Sequence, residues 1–291
     1  MNDSRQRLSL PPWFRQKLPR AGEEPDSDRM LHELGLHTIC ESGRCPNVSQ
    51  CFPGGAAFLI LGNTCTRNCS FCAVEHGRPP LLDVGEPARL SEAARRLKLD
   101  YVFVTSVTRD DLPDGGAGHF ARTIERLKRD LPGIKVEVLV PDFQGSPDAI
   151  RTVQDAGPVV FGHNVETVPR LYAGVRPQAD YRRSIEVLRQ AKEIAPHILT
   201  KSGLMLGFGE SRDEVIGVMR DLRAADCDLF TLGQYLSPSY ENYPVQNFPT
   251  PEEYAAYVPI GLEMGFKAMA SAPLWRSSFK ADELYRQATA A

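Results

Sequence analysis

The chain has 291 residues, a formal net charge of −3, a sequence pI near 6.1, and a hydrophobic content of 42%. Such a chain can bury the core of one α/β barrel or of two smaller domains. The charge gives no basic footprint for nucleic acid, and no apolar run approaches the length of a membrane span, so we expect neither partner. Seven cysteines without an export signal indicate a reducing compartment, and we expect a cytoplasmic protein.

The chain begins with a polar extension over residues 1–55, which is basic at its start and punctuated by proline and glycine. From residue 56 onward short apolar runs alternate with helical patterns, which implies right-handed crossovers and a parallel sheet of six or seven strands. We expect a barrel over residues 56–271 and a C-terminal tail over residues 272–291. The predicted strands are Ala57–Gly62, Tyr101–Ser106, Val136–Val140, Val159–Gly162, Leu204–Phe208, Leu229–Leu232 and Phe266–Ala270.

Helix starts are also marked in the sequence. Ser146 offers an N-cap before Pro147, and Ser211 and Thr250 each begin a capping-box pattern. Helical spacing of apolar residues extends from Tyr181 to Ile194.

Three cysteines, Cys65, Cys69 and Cys72, form a C-x3-C-x2-C array directly after the first predicted strand. Three neighbouring thiolates cannot all pair as disulfides. They can bind three irons of a [4Fe–4S] cluster and leave the fourth iron free for another ligand. A zinc site or an electron-transfer cluster with its fourth ligand elsewhere is the alternative.

With Phe71 as its aromatic residue, this array resembles the radical SAM signature. The resemblance implies a partial (β/α)6 barrel. It also implies that the free iron chelates S-adenosylmethionine, which the reduced cluster cleaves to a 5′-deoxyadenosyl radical.

A second array, Cys40, Cys45 and Cys51, has the spacing C-x4-C-x5-C and precedes the first strand. Together the arrays use six of the seven cysteines, and two iron–sulfur clusters explain them better than a disulfide framework does. The remaining cysteine, Cys227, is expected to be a small buried hydrophobic residue.

These two arrays in this order resemble the lipoyl synthase family. In that family the array nearer the N-terminus, here the second array, holds an auxiliary cluster whose fourth ligand is a serine of an Arg-Ser-Ser-Tyr motif. This chain has Arg276–Phe279 at the corresponding place, with Ser277 and Ser278 inside it. The family match favours Ser278 as the ligand, with Ser277 as the neighbouring alternative. The implied metal ligands and catalytic groups are Cys40, Cys45, Cys51 and Ser278 for one cluster and Cys65, Cys69 and Cys72 for the other.

The resemblance implies insertion of two sulfur atoms at carbons 6 and 8 of a protein-bound octanoyl-lysine, with the auxiliary cluster as sulfur source. A hard alkoxide ligand among soft thiolates would be a weak point in a cluster that is dismantled. The implied partners are octanoylated carrier domains of 2-oxoacid dehydrogenase complexes or the glycine cleavage H protein. A flavodoxin or ferredoxin would be the electron donor.

Strand ends supply candidate S-adenosylmethionine contacts, because chemistry in such barrels gathers at the carboxyl ends of the strands. Gly115 and Gly116 would meet the amino group, although an ordinary turn also explains them. Asn164 and Glu166 share one strand face, and the neighbouring His163 is interpreted as structural. The further cofactor-binding candidates are Phe71, Arg176, Gly203 and Gly207.

Two other functions remain open. One is a different sulfur-inserting radical SAM enzyme resembling biotin synthase, which the position of the second array disfavours. The other is a non-catalytic iron–sulfur carrier, which would not need the strand-end motifs. The segments Asn242–Val245 and Leu274–Phe279 depart from the usual family pattern, at Asn242, Tyr243 and Trp275 above all.

Overall fold

The structure is a computed structural model that describes residues 8–15, 26–47 and 57–290. Cys51 of the second array therefore lies outside the described residues. No helix in this described part is long and apolar enough to cross a membrane.

The centre of the fold is one curved sheet in which seven parallel strands follow one another in the order β2-β5-β6-β7-β8-β9-β10. A short β1 pairs antiparallel with β2 at one edge, and β3 and β4 form a separate parallel pair. The predicted partial barrel is confirmed. The strands are β1 (His37–Thr38), β2 (Ala57–Ile60), β3 (Thr64–Cys65), β4 (Glu75–His76), β5 (Tyr101–Ser106), β6 (Lys135–Leu139), β7 (Val160–Gly162), β8 (Leu199–Leu206), β9 (Leu229–Gln234) and β10 (Ala268–Ser271).

Helices connect the strands, and their predicted caps are confirmed. The hydroxyl of Ser146 accepts from the amide of Ala149, and Ser211 and Thr250 each complete a capping box. The helices are α1 (Asp26–Glu33), α2 (Ile39–Ser42), α3 (Glu86–Arg96), α4 (Ala117–Asp130), α5 (Pro147–Asp155), α6 (Tyr172–Val175), α7 (Tyr181–Ile194), α8 (Arg212–Ala224), α9 (Pro251–Ala255), α10 (Tyr257–Glu263) and α11 (Ala281–Thr289). Short 3-10 turns span Pro12–Phe14, Phe143–Gly145 and Pro169–Leu171.

Alternating residues of each strand face opposite sides of the sheet. Outward residues such as Val104 and Val138 pack with Phe120 and Ile124 of α4 in the main core. Inward residues at the starts of four strands pack instead against the C-terminal helix α11, through Leu284 and Ala288. These strand residues are Val160, Leu199, Leu229 and Ala268. The helix therefore covers the end of the barrel where the strands begin.

Candidate functional site

The triad of Cys65, Cys69 and Cys72 lies beyond the carboxyl end of β2. The Cys65 Sγ accepts hydrogen bonds from the backbone amides of Arg67 at 3.4 Å and Thr108 at 3.3 Å. The Cys72 Sγ accepts a hydrogen bond from the backbone amide of Val74, two residues further along the loop, at 3.4 Å. Backbone donors aimed at sulfur stabilise thiolates, which are the form that binds iron.

The three thiols are close enough for the charge of each to act on the others. Burial raises the pKa of Cys72 to about 12 and also raises the pKa of Cys69, which nearby Arg176 counteracts. Iron binding must therefore displace protons from this site, as metal ligation by thiols generally does. Among the described residues no three His, Cys, Asp or Glu side chains are arranged around a single metal ion. In a [4Fe–4S] cluster each cysteine binds its own iron, and this donor set fits such a cluster.

Arg67, inside the triad loop, is an organising residue that sequence reasoning missed. Its guanidinium forks onto Asp110 at 2.6 and 2.8 Å and onto Asp142 at 2.8 and 3.0 Å. Burial alone would raise the pKa of Asp142, but the bonds from Arg67 hold it well below its usual range. The bidentate pairs tie the triad loop to the loops after β5 and β6. The sequence signal for this role is the position of Arg67, a charged residue between Cys65 and Cys69.

Asn164, Glu166 and Arg176 come together near Cys69. The strand β7 ends at Gly162, so it does not extend to the face that the sequence predicts Asn164 and Glu166 to share. Arg176 donates through Nη1 to the carbonyls of Asn164 at 3.0 Å and Val165 at 3.2 Å. Burial raises the pKa of the Glu166 carboxyl, and the positive charge of Arg176 partly offsets this rise. Glu166 also has a φ of +63°, a strained value for a residue with a side chain.

The predicted glycines at the sheet end make room for protein atoms. A Cβ on Gly203 would lie 2.7 Å from the Ser277 Oγ and 2.8 Å from the Asn164 Oδ1. On Gly207 it would lie 2.0 Å from the Gln234 Nε2. Close packing against these protein atoms thus requires glycine at both positions.

The loop before α4 contains Gly115 and Gly116, both with positive φ. Gly116 precedes α4, and a Cβ there would lie 2.4 Å from the Leu61 side chain. Gly115 lines a cavity of about 390 Å³ together with Thr108 and Asp110. This loop therefore combines the ordinary turn and a ligand-sized space.

Phe71 packs edge-on against Phe208 at 6.4 Å between ring centroids. Phe208 in turn stacks on Tyr235 at 4.2 Å. A larger cavity, of about 600 Å³, opens between the triad loop and the segment that follows β9. Its lining residues are Ser70, Arg170, Leu171, Phe208, Gly209, Glu241, Asn242, Tyr243, Pro244 and Gln246.

The departure at Asn242 has a clear structural role. Its Nδ2 donates to the carbonyls of Ser70 at 3.1 Å and Cys72 at 3.0 Å, and the amide of Tyr243 also donates to Ser70 at 2.8 Å. The segment thus supports the triad loop from the opposite side of the barrel.

The two described cysteines of the second array, Cys40 and Cys45, lie against the C-terminal tail. Cys40 is in α2, and the amide of Cys45 donates to its carbonyl at 2.9 Å. Both cysteines pack with Ala281 at the start of α11. Asn47, two residues after Cys45, donates through Nδ2 to the carbonyl of Leu274.

The Arg276–Phe279 motif enters the inner side of the sheet. The Ser277 hydroxyl and the Asn164 amide are within hydrogen-bond distance at 3.0 and 3.1 Å, whereas the Ser278 hydroxyl has no hydrogen bond to other described residues. Burial lowers the pKa of Arg276, whereas the charge of the nearby Cys45 acts in the opposite direction and raises it. Asn164, assigned to the cofactor from the sequence, therefore also holds the tail.

Comparison with solved structures shows the fold. The chain superimposes on HydG, a maturase of the [FeFe]-hydrogenase, with a TM-score of 0.57 and 14% identity, covering 72% of this chain and 49% of that one. Coproporphyrinogen III oxidase from Escherichia coli, described as a radical SAM enzyme, gives 0.51 at 13% identity, with 74% and 54% covered.

Sequence comparison shows the family. The model of the radical SAM superfamily matches residues 59–222. The lipoyl synthase of Caldanaerobacter subterraneus subsp. tengcongensis is 56% identical over 94% of this chain and 95% of that protein. Those of Syntrophotalea carbinolica and Aquifex aeolicus are 52% and 54% identical, over 96% and 88% of this chain and 91% and 93% of their own lengths. The chain therefore belongs to the lipoyl synthase family of the radical SAM superfamily.

Proposed function

We propose that the two arrays divide the work of lipoyl formation. Cys65, Cys69 and Cys72 hold the cluster that binds S-adenosylmethionine. The second array, Cys40, Cys45 and Cys51, and Ser278 hold the auxiliary cluster that supplies sulfur. When bound, the first cluster with S-adenosylmethionine would supply the radical chemistry that activates the substrate. The auxiliary cluster would supply the sulfide that the substrate radical takes up. For this assignment we divide the chain into an extension over 1–55, a barrel over 56–271 and a tail over 272–291.

One observation carries this proposal: the tail lies between the two arrays. Asn47, beside Cys45, holds the carbonyl of Leu274. Asn164, whose carbonyl accepts from the Arg176 beside Cys69, donates a hydrogen bond to the Ser277 hydroxyl. This contact of Ser277 on the inner side of the barrel supports the assignment of the adjacent Ser278 to the auxiliary cluster.

The chain's own residues have distinct tasks in this arrangement. Arg67 and Asn242 hold the backbone of the triad loop. Arg176 and Glu166 present opposite charges beside Cys69, and they suit the carboxylate and amino groups of S-adenosylmethionine. The remaining cofactor candidates, Phe71, Gly115, Gly116, Asn164, Gly203 and Gly207, are assigned to walls around that site.

For the substrate we propose an octanoyl-lysine on a lipoyl carrier domain of a 2-oxoacid dehydrogenase complex or on the glycine cleavage H protein. A flavodoxin or ferredoxin in the cytoplasm would supply the electrons. The lipoyl synthase names of the relatives support this assignment, since those proteins match almost the full length of the chain.

The two arrays can be separated by substitution. Cys69→Ala should abolish release of 5′-deoxyadenosine and all product. Cys45→Ala should still release 5′-deoxyadenosine but form no lipoyl group, because the second array precedes the repeating strands. The assay is anaerobic incubation with an octanoyl-lysine peptide, S-adenosylmethionine and dithionite, followed by mass spectrometry. The control Cys227→Ala, outside both arrays, should retain both activities.

Either of two results would contradict the proposal: lipoyl product from Cys45→Ala, or 5′-deoxyadenosine from Cys69→Ala. Normal release of 5′-deoxyadenosine by the wild type without sulfur insertion into octanoyl-lysine would point to the biotin-synthase-like alternative. A carrier would release none.

The serine ligand has a test of its own. Reconstituted wild type should hold about eight irons in two clusters. Ser278→Ala should lose auxiliary iron and product, whereas Ser278→Cys should hold both clusters and release sulfur less readily, because a thiolate suits iron better than an alkoxide does. Ser277→Ala, which removes the bond to Asn164, is the matched control and should keep about eight irons. Full iron and turnover in both Ser278 variants would remove this role.

A further inference from the structure

A buried ion pair lies on the inner face of the barrel, next to the Phe103 ring that packs with Cys40. The Lys201 Nζ lies 2.6 Å from the Glu137 Oε1, and the two side chains are only 2% and 1% exposed. The Tyr101 hydroxyl donates to the other carboxylate oxygen of Glu137. The carboxylate is therefore held from two sides.

The ammonium of Lys201 has a second acceptor, which belongs to the tail. Its Nζ donates to the backbone carbonyl of Ser277 at 2.7 Å. The Ser277 hydroxyl is held separately by Asn164. Ser277 is thus bound through its side chain by Asn164, which follows β7, and through its backbone by Lys201 of β8.

A buried ion pair is weak support for stability, since apolar residues of similar volume often stabilise a fold as well or better. What this pair provides is an oriented charge-assisted donor inside the barrel. The Ser277 carbonyl and the Ser278 amide belong to one rigid peptide plane. Fixing that carbonyl therefore fixes the position of the Ser278 Cα.

We propose that Lys201, held by Glu137, is a positioning residue that anchors the Arg-Ser-Ser tail and so places Ser278 for the auxiliary cluster. The role of Ser278 in this statement rests on the function proposed above. The anchoring of the tail does not rest on it.

The test combines Lys201→Met with Glu137→Gln, because removing one partner alone would leave an uncompensated buried charge. In the reconstituted protein, amide hydrogen exchange over residues 275–279 should become about tenfold faster, as expected for loss of one charge-assisted hydrogen bond. The yield of lipoyl product per 5′-deoxyadenosine should fall about tenfold as well, while S-adenosylmethionine cleavage continues.

Lys192→Met is the matched control. Lys192 also bonds a carboxylate, Asp228 at 2.6 Å, and a carbonyl, Ile198 at 3.3 Å, but it contacts no residue of the tail. Asp228 keeps Lys267 at 3.0 Å as a partner in this variant. Exchange over 275–279 and the product yield should both match the wild type.

Unchanged exchange in the double variant overturns the proposal, whatever the product yield. Faster exchange with an unchanged yield per 5′-deoxyadenosine also overturns it, because the anchor would then not position the reaction. If the double variant does not fold, Tyr101→Phe removes only the hydroxyl bonded to Glu137. It should accelerate the same exchange by a smaller factor, and no acceleration overturns the proposal. If the wild type makes no lipoyl product, the proposed function fails, while the exchange comparison still tests the anchor.

Discussion

At the scale of single residues, burial decides the chemistry of His163. Its Nδ1 donates to the carbonyl of Val140 at 2.9 Å, and its Nε2 has no partner among the described residues. Burial, together with the charge of Arg176, lowers the pKa of His163 to about 4 from an ordinary value of 6.5. The imidazole is therefore neutral in the fold, as the structural interpretation from the sequence required.

This histidine predicts a loss of stability in mild acid. Between pH 6.5 and 4 the unfolded chain binds a proton that the folded chain does not. The free energy of unfolding should therefore fall as the pH falls through this window, by about 3 kcal/mol in total from this group. Urea unfolding of the wild type and His163→Gln at several pH values measures the difference.

His197→Gln, at an exposed histidine, is the control for the substitution itself. Identical pH dependence in the wild type and His163→Gln would contradict the assignment.

At the scale of elements, β8 illustrates how one strand serves both faces. Leu204 and Leu206 pack outward into the second core. Lys201 and Gly203 meet the tail on the inner face. A side chain at Gly203 would fill the space that the tail occupies.

Gly203→Ala should push the tail from its site. The new Cβ would lie 2.7 Å from the Ser277 Oγ and 2.9 Å from the Thr231 Oγ1. We expect a loss of about 1–3 kcal/mol in the free energy of unfolding, as for other overpacked sites, and lower lipoyl product. Urea unfolding measures the first effect and the peptide assay the second.

The matched control is Gly217→Ala in α8, where nothing lies within 4 Å of the new Cβ. It should stabilise the protein by about 0.5–1 kcal/mol through helix propensity. Wild-type stability in Gly203→Ala would show that the tail does not need this space.

At the scale of the whole molecule, the last helix closes the barrel. Leu284 of α11 is 2% exposed and packs with the first residues of four strands. The Tyr285 ring lies 5.8 Å from that of Tyr101. Because α11 directly follows the Arg276–Phe279 motif, its docking also limits where that motif can lie.

Leu284→Ala should lower the free energy of unfolding by about 2–5 kcal/mol through loss of burial and the cavity left behind. Leu262→Ala, at a leucine that is 49% exposed, is the matched control and should change it by less than about 0.5 kcal/mol. Thermal and urea unfolding measure both. Equal effects of the two substitutions would mean that α11 is not part of the cooperative fold.

The sequence by itself determined the features that depend on near neighbours. Strand and helix periods predicted the parallel barrel, and capping residues such as Ser211 marked helix starts. The cysteine spacings identified the family, because three ligands within eight residues can be recognised in one loop. Each of these signals is contained in a short segment of chain.

Only the tertiary structure decided what meets inside the barrel. Asn164 and Ser277 are 113 positions apart, and Asn47 and Leu274 are 227 apart. Contacts over such separations leave no period in the sequence, because they depend on how the strands are ordered and on which face each side chain occupies. For this reason the sequence alone predicts neither the close approach of the tail to Gly203 nor the Lys201–Glu137 pair.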